Sequence, residues 1–241
     1  MVFQKKMLYI ATMGLLLSGS ALFAAEVSAT SLLKHTYQYI GSLDTYAFNA
    51  VVTEEDMQEG KLLKQYTQAI SVKVDRPNEF RMDTKGDIKE RSTYLHEGIF
   101  TMMDHGFNYY GQIKLPQKDI NAALDYMFEK YGIKAPLAAL IYSDMDKRSK
   151  FSKSTYFGKR TVGGVVCDYI AFRNKGGEIH IWITHGDKPL IRCFTMIDTS
   201  VKGKPKTTAF IQWNTASKIA ESDFIFKAPA GAANISVQSA K

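Results

Sequence analysis

Residues 165–198, VVCDYIAFRNKGGEIHIWITHGDKPLIRCFTMID, decide the fold. Runs rich in Ile, Phe, Tyr and Trp are cut by Lys175-Gly176 and by Gly186-Asp187-Lys188, which reads as an antiparallel meander. Centring the first turn on Lys175-Gly176 pairs Ile170 with about Ile181, and the next loop pairs Ile181 with about Cys193. On these registers one face collects Ile170, Phe172, Ile179, Ile181, Ile183, Ile191 and Ile197. The other collects Tyr169, Ala171, Trp182, Leu190, Phe194 and Met196. A sheet with one wet face alternates apolar with polar residues. Here both faces are apolar, so the second also needs a cover: helices of the same chain, packed tightly or leaving room, a bound apolar ligand, or both.

Upstream, residues 31–41 (SLLKHTYQYIG) carry a short amphipathic helix ended by Gly41. Strands follow over 45–53, 62–75, 79–84, 89–96, 99–104 and 107–113, joined by turns too short for parallel crossovers. The period then changes. In 119–131 (DINAALDYMFEKY) Ile120, Ala123, Leu124, Met127, Phe128 and Tyr131 recur at helical spacing, with Asp119 as cap and Gly132 as stop. A second apolar helix is expected over Pro136–Tyr142. Strands resume over 152–161, 165–174, 178–185, 189–198, 206–215 and 223–227. The helices embedded in this meander are expected to lie on a face of the sheet.

The composition, 45% hydrophobic and 23% charged with 14 Phe and 13 Tyr, disfavours a helical bundle and excludes disordered or polytopic membrane chains. Lys5-Lys6 followed by the uncharged stretch Met7–Ala25 reads as a cleaved secretory signal peptide over residues 1–29, with Thr30 the preferred mature start, Ala25 a second candidate, and one domain over 30–241. Cleavage removes two lysines and one glutamate, so the +7 of the whole chain becomes +6. The export route implies the periplasm. The lysines and arginines at 147–153 and 202–206 read as solvated loop charge.

The chemistry of catalysis is missing. The five histidines have no ligand spacing, His180 and His185 should point to opposite faces of one strand, and no phosphate loop, nucleophile elbow or HExxH is present. A non-enzyme is expected, without metal or cofactor. On the registers above, Cys167 and Cys193 lie two strands apart on opposite faces, beyond disulfide reach.

Arg76-Pro77-Asn78-Glu79-Phe80-Arg81, Gly163–Tyr169, Trp182-Ile183 followed by Gly186 and Pro189-Leu190, and the ending Phe224–Ala232 together resemble an uncharacterised family of predicted periplasmic proteins (domain of unknown function 2092). That family is similar to the outer-membrane lipoprotein carriers and receptors, the LolA/LolB-like fold. The resemblance, over about residues 31–235, implies a mainly β fold: a strongly curved antiparallel sheet forming an incomplete barrel, closed by helices and able to accept acyl chains. It implies a lid-holding role for Arg76 and a cavity place for Phe80. The expected cavity is lined by Phe80, Met82, Tyr169, Trp182, Phe194 and Met196 from the sheet and by Leu124, Met127 and Phe128 from the helix. The expected function is non-catalytic binding or carriage of a lipid, acylated protein or other apolar ligand, with an envelope protein-interaction module as the alternative. Peripheral contact with a membrane is left open, and no nucleic-acid partner is expected.

Overall fold

The computed structural model describes residues 28–58, 62–135, 137–151 and 153–239. The expected leader, up to residue 27, lies outside them. Helix α1 (Ala29–Gly41) starts where Ser28 accepts the N–H of Ser31 and buries Leu33, Thr36, Tyr37 and Ile40. A chain beginning at Thr30 would lack this cap, worth about 1 kcal/mol. Strands β1 (Thr45–Gln58), β2 (Leu62–Asp75), β3 (Glu79–Gly86), β4 (Glu90–His96), β5 (Ile99–Asp104) and β6 (Tyr109–Lys114) then meander. Helix α2 (Ile120–Tyr131) is capped by Asp119, whose carboxylate accepts the Ala122 N–H at 2.9 Å, and closed by Gly132 at φ 66°. Short helix α3 (Met145–Arg148) precedes β7 (Lys153–Val162), β8 (Val165–Asn174), β9 (Gly177–Thr184), β10 (Ile191–Asp198), β11 (Lys206–Asn214) and the two-residue β12 (Ala233–Asn234).

The strands form one sheet in the order β12-β6-β5-β4-β3-β2-β1-β11-β10-β9-β8-β7. It is antiparallel throughout except where β12 joins β6. The sheet is curved and does not close. Because β11 returns to pair with β1, the two meanders make one continuous wall, and α1 and α2 cover its inner face. On that face Phe48 lies opposite Val72, Val72 opposite Met82, Leu95 opposite Phe100, and Ile170 opposite Ile181, so apolar side chains stay level from strand to strand.

Three sequence expectations are corrected. The helix at 136–142 reduces to a single 3-10 turn, Ala138–Leu140, because Leu137 adopts the left-handed region at φ 58° and turns Leu140 and Ile141 inward to full burial. Residues 223–227 form no strand. They cross the outer face, where Phe226 packs on Tyr94 and Tyr110 at 5.5 and 4.9 Å and Asp223 meets Lys73 at 2.7 Å.

The third correction is the register of β10. Ile170 pairs with Ile181 as expected, but Ile181 pairs with Phe194 and not Cys193, because Arg192 is an extra residue in a bulge between Ile191 and Cys193. A one-residue slip moves every later side chain to the other face. Phe194 and Met196 therefore join the isoleucines on the inner face, Ile197 leaves it, and Cys193 shares the outer face with Tyr169, Trp182 and Cys167. The cysteines are unbonded and both buried. Burial pushes the Cys193 thiol up to about 12 and raises that of Cys167, so neither is a thiolate at neutral pH. Without reductant, the folded protein should take no alkyl adduct near pH 7 and two after unfolding in denaturant, read by intact mass. No adducts after unfolding would reveal a disulfide.

Candidate ligand-binding site

The inner face is filled solid at its centre. Ile40, Tyr46, Phe48, Val72, Leu140 and Ile141 are all within 1% of complete burial. Arg76 fixes this plug: its Nε donates to the Leu43 carbonyl and its Nη2 to the Tyr46 hydroxyl oxygen, each at 3.0 Å. Tyr46 in turn donates to the Leu140 carbonyl at 2.8 Å. One guanidinium thus ties the α1–β1 turn, β1 and the 138–140 turn together. Burial pushes the Tyr46 hydroxyl well above its ordinary range, against the opposing Arg76 charge, so it remains a proton donor.

A second anchor was not legible as such in the sequence. Arg148, expected to be a solvated loop charge, forks onto both oxygens of Asp125 at 2.9 Å, donates from Nε to Asp144 at 2.6 Å, and lies 4.1 Å over the Tyr142 ring. Tyr142 also donates to Asp125, at 2.9 Å. This clamp binds the middle of α2 to α3 and the segment before it. Burial works to raise the Asp125 pKa, but the Arg148 fork and the Tyr142 hydroxyl outweigh it, so the carboxyl is held below its usual range.

Space remains toward both ends of the inner face. One cavity of about 320 Å³ lies between β3–β5 and the end of α2, against Met82, Phe100, Met102, Leu124 and Met127, under Ile133. A second, of about 290 Å³, shares Phe100, Met102, Met127 and Ile133 and extends to β6 and the tail. There Val237 sits so close to Gly111 that a Cβ on the glycine would meet the Val237 methyl at 2.5 Å. Arg91 lines both and pairs through Nη2 with Asp104 at 3.0 Å. A third cavity, about 230 Å³ and almost wholly apolar, lies at the other end, against Ile179, Ile181, Ile191, Phe194 and Met196, beneath residues 137–140.

The residues expected at one site are therefore distributed. Met82, Leu124 and Met127 line the first cavity, while Phe194 and Met196 line the third. Phe80 is fully buried in the wall, edge-on to Phe100 at 6.3 Å. Phe128 is 51% exposed on α2, with Lys134 over its ring. Tyr169 and Trp182 stand on the outer face, stacked at 4.6 Å with rings 2° from parallel, and Phe157 extends the stack at 4.7 Å. Tyr169 and Trp182 do not reach an inner cavity, because they pair with each other one position out of phase with Ile170 and Ile181, and side chains alternate along a strand. Phe100, Met102 and Ile133 were missed. The alternation Phe100, Met102, Asp104 in IFTMMD was the available signal.

A hollow of about 590 Å³ lies on the outer face beside Arg81, Asp83, Ser92 and Arg192. Ser92 donates to Asp83 at 2.6 Å and contacts His105 at 2.8 Å. The buried hydroxyl sits between carboxylate and imidazole, whereas a nucleophile set needs the imidazole in the middle. Among the described residues no group of His, Cys, Asp and Glu could hold a metal ion.

Residues 29–238 match the family model described as predicted periplasmic protein, DUF2092. The chain belongs to that family. No curated protein matches it. Among solved structures, it is similar to an uncharacterized conserved protein from Thermus thermophilus, at 11% identity over 86% of this chain and 98% of that one, TM-score 0.49. LprF from Mycobacterium bovis is 12% identical over 79% and 95%, TM-score 0.45. A LolA superfamily protein from Nitrosomonas europaea is 7% identical over 83% and 99%, TM-score 0.35. No helix of this DUF2092 member, among the described residues, is long and apolar enough to cross a membrane.

Two outcomes follow from the anchors. Tyr46→Phe should lower stability by about 1–3 kcal/mol in urea unfolding, because it leaves the Leu140 carbonyl and an Arg76 N–H buried without their partner. Because the folded Asp125 pKa is depressed, its contribution is complete above the ordinary carboxylate value of about 4 and is lost as pH falls through the folded value. Thermal stability should therefore drop below about pH 4, and Asp125→Asn should flatten that drop.

Proposed function

We propose that this protein is a non-catalytic periplasmic binding or carrier protein for a lipid, acyl chain or other apolar ligand seated between the sheet and α2. The observation that carries the reading is the pair of adjoining cavities under the end of α2, which share an apolar wall of Phe100, Met102 and Met127. Together they fall within the usual range of small-molecule sites, about 300–1,000 Å³. Removing apolar area from water yields about 25 cal/mol per Å², with few polar contacts needed to fix orientation. Arg76, acting through Tyr46, holds the segment that roofs the centre. The third cavity, below the same roof, offers a second pocket for a branched or second chain.

Native mass spectrometry after gentle purification, with uptake of a fluorescent fatty acid, tests this. Bound mass or saturable uptake is expected. Met127→Trp, which fills both adjoining cavities, should reduce uptake at least about fivefold, roughly 1 kcal/mol. Trp182→Lys, on the outer face, should leave it unchanged. Repeated recovery without added mass and without uptake overturns the reading. If crosslinks from the exposed Val51 and Phe210 then led to one envelope protein, insensitive to lipid, an interaction module would take its place.

A further inference from the structure

The first cavity is charged in only one sense. Lys89, Arg91 and Lys134 line it, and no carboxylate does. These cations come from different walls: Lys89 from the turn between β3 and β4, Arg91 from β4, and Lys134 from the segment after the Gly132 cap. Depth sorts the lining. Met82, Leu124 and Met127 are buried at 4% exposure or less, Lys89 is half-buried, and Lys134 is exposed. The cavity is thus apolar within and cationic at its mouth.

Arg91 adds a more specific sign. Its Nη2 is taken by Asp104, in the adjoining cavity, at 3.0 Å. Its Nε is buried and has no hydrogen-bond partner. A charged donor in that state calls for an acceptor. Lys134 is held near the rim by the Phe128 ring, 5.6 Å from its Nζ. Ile88 and Phe128, 63% and 51% exposed, stand beside these lysines. An apolar rim with lysines is the composition of a surface that meets anionic headgroups.

We propose that this cavity selects anionic amphiphiles: an alkyl chain against Met82, Phe100 and Met127, with a carboxylate or phosphate head between Lys89, Lys134 and the Arg91 Nε. The proposal rests on the apolar-ligand reading and adds the charge of the head. The arrangement discriminates by sign, because a neutral head leaves the Arg91 donor without charge-assisted pairing and a cationic head meets the like charges of Lys89 and Lys134.

The test is displacement of the neutral probe phenylnaphthylamine from the full mature chain by dodecanoate, dodecyl phosphate, dodecanol and dodecyltrimethylammonium. At low salt the two anions should compete at least about tenfold better than dodecanol, as expected for two or three partly exposed ion pairs. The ammonium should be the weakest. The gap should narrow as salt rises. This series needs no variant. Lys89→Glu with Lys134→Glu should erase the preference for anions and improve binding of the ammonium, while dodecanol stays unchanged. Loading from phosphatidylglycerol vesicles as well as from dissolved dodecanoate would assign the anion to membrane lipid, and loading from dodecanoate alone to a free carboxylate. Equal competition by dodecanol and dodecanoate at every salt concentration overturns the headgroup assignment and leaves the apolar reading standing. No displacement by any of the four, with no bound mass, overturns both.

Discussion

An antiparallel sheet that does not close must have its apolar inner face covered by the rest of its own chain, and here the cover is too small. Twelve strands at about 4.8 Å spacing make a wall roughly 50 Å wide along its curve. The two principal helices, 13 and 12 residues long, each extend about 20 Å. Helix, 3-10 turn and tail must therefore be placed where they bury most. The gaps between them become the cavities.

Polar anchors decide where the cover is firm. Arg76 and Tyr46 pin the centre, where Tyr, Phe and Ile fill the space to near-complete burial. Arg148 pins the middle of α2 through Asp125. Beyond that clamp α2 ends at Gly132, and only Ile133–Ala135 continue over the wall of the first cavity. On the outer face, the segment carrying Phe224 and Phe226 covers the β2–β6 half, while among the described residues the row from Phe157 through Tyr169 and Trp182 to Phe210 and Val51 has no comparable strap. Each half of the sheet thus has one dry face, and the β2–β6 half has a second layer as well.

What the sequence made legible follows from the range of each signal. Strand limits, the capped helix at 119–131 and the Ile170–Ile181 register rest on local periodicity and turn chemistry, and the structure has them within a few residues. The bulge at Arg192 has no local signature: RCFTMI alternates equally well on either parity, so Phe194 and Met196 were assigned the wrong face, and Met196 is 44% exposed. Tyr169 and Trp182 showed the reverse failure. Their apolarity was read as an inward direction, although stacked aromatic rings on a pleated surface also cover each other. Arg148 could not be placed because its partner Asp125 lies 23 residues away on another helix. Arg91 was invisible for the same reason. Its significance lies in a donor left over after Asp104 is satisfied, which only three-dimensional geometry reveals.

The two ends of the inner face differ in the kind of side chain that borders the empty space. At the β9–β10 end the sheet contributes Ile179, Ile181 and Ile191, β-branched and stiff at χ1, beside Phe194 and Met196. At the β3–β6 end they are Met82, Met102 and Met127 with Thr93 and Gly111. Unbranched thioethers fill irregular gaps and repack around a guest at little cost. Gly111 leaves room that Val237 now occupies, and Val237 is carried by a tail whose backbone bonds β6 through Ala233 and Ile235. On the proposed reading, a ligand entering beside Lys89 and Lys134 would move methionines and tail while the Arg76–Tyr46 plug stays shut. The sheet need not open, and the ordering entropy of the core is not spent on admission.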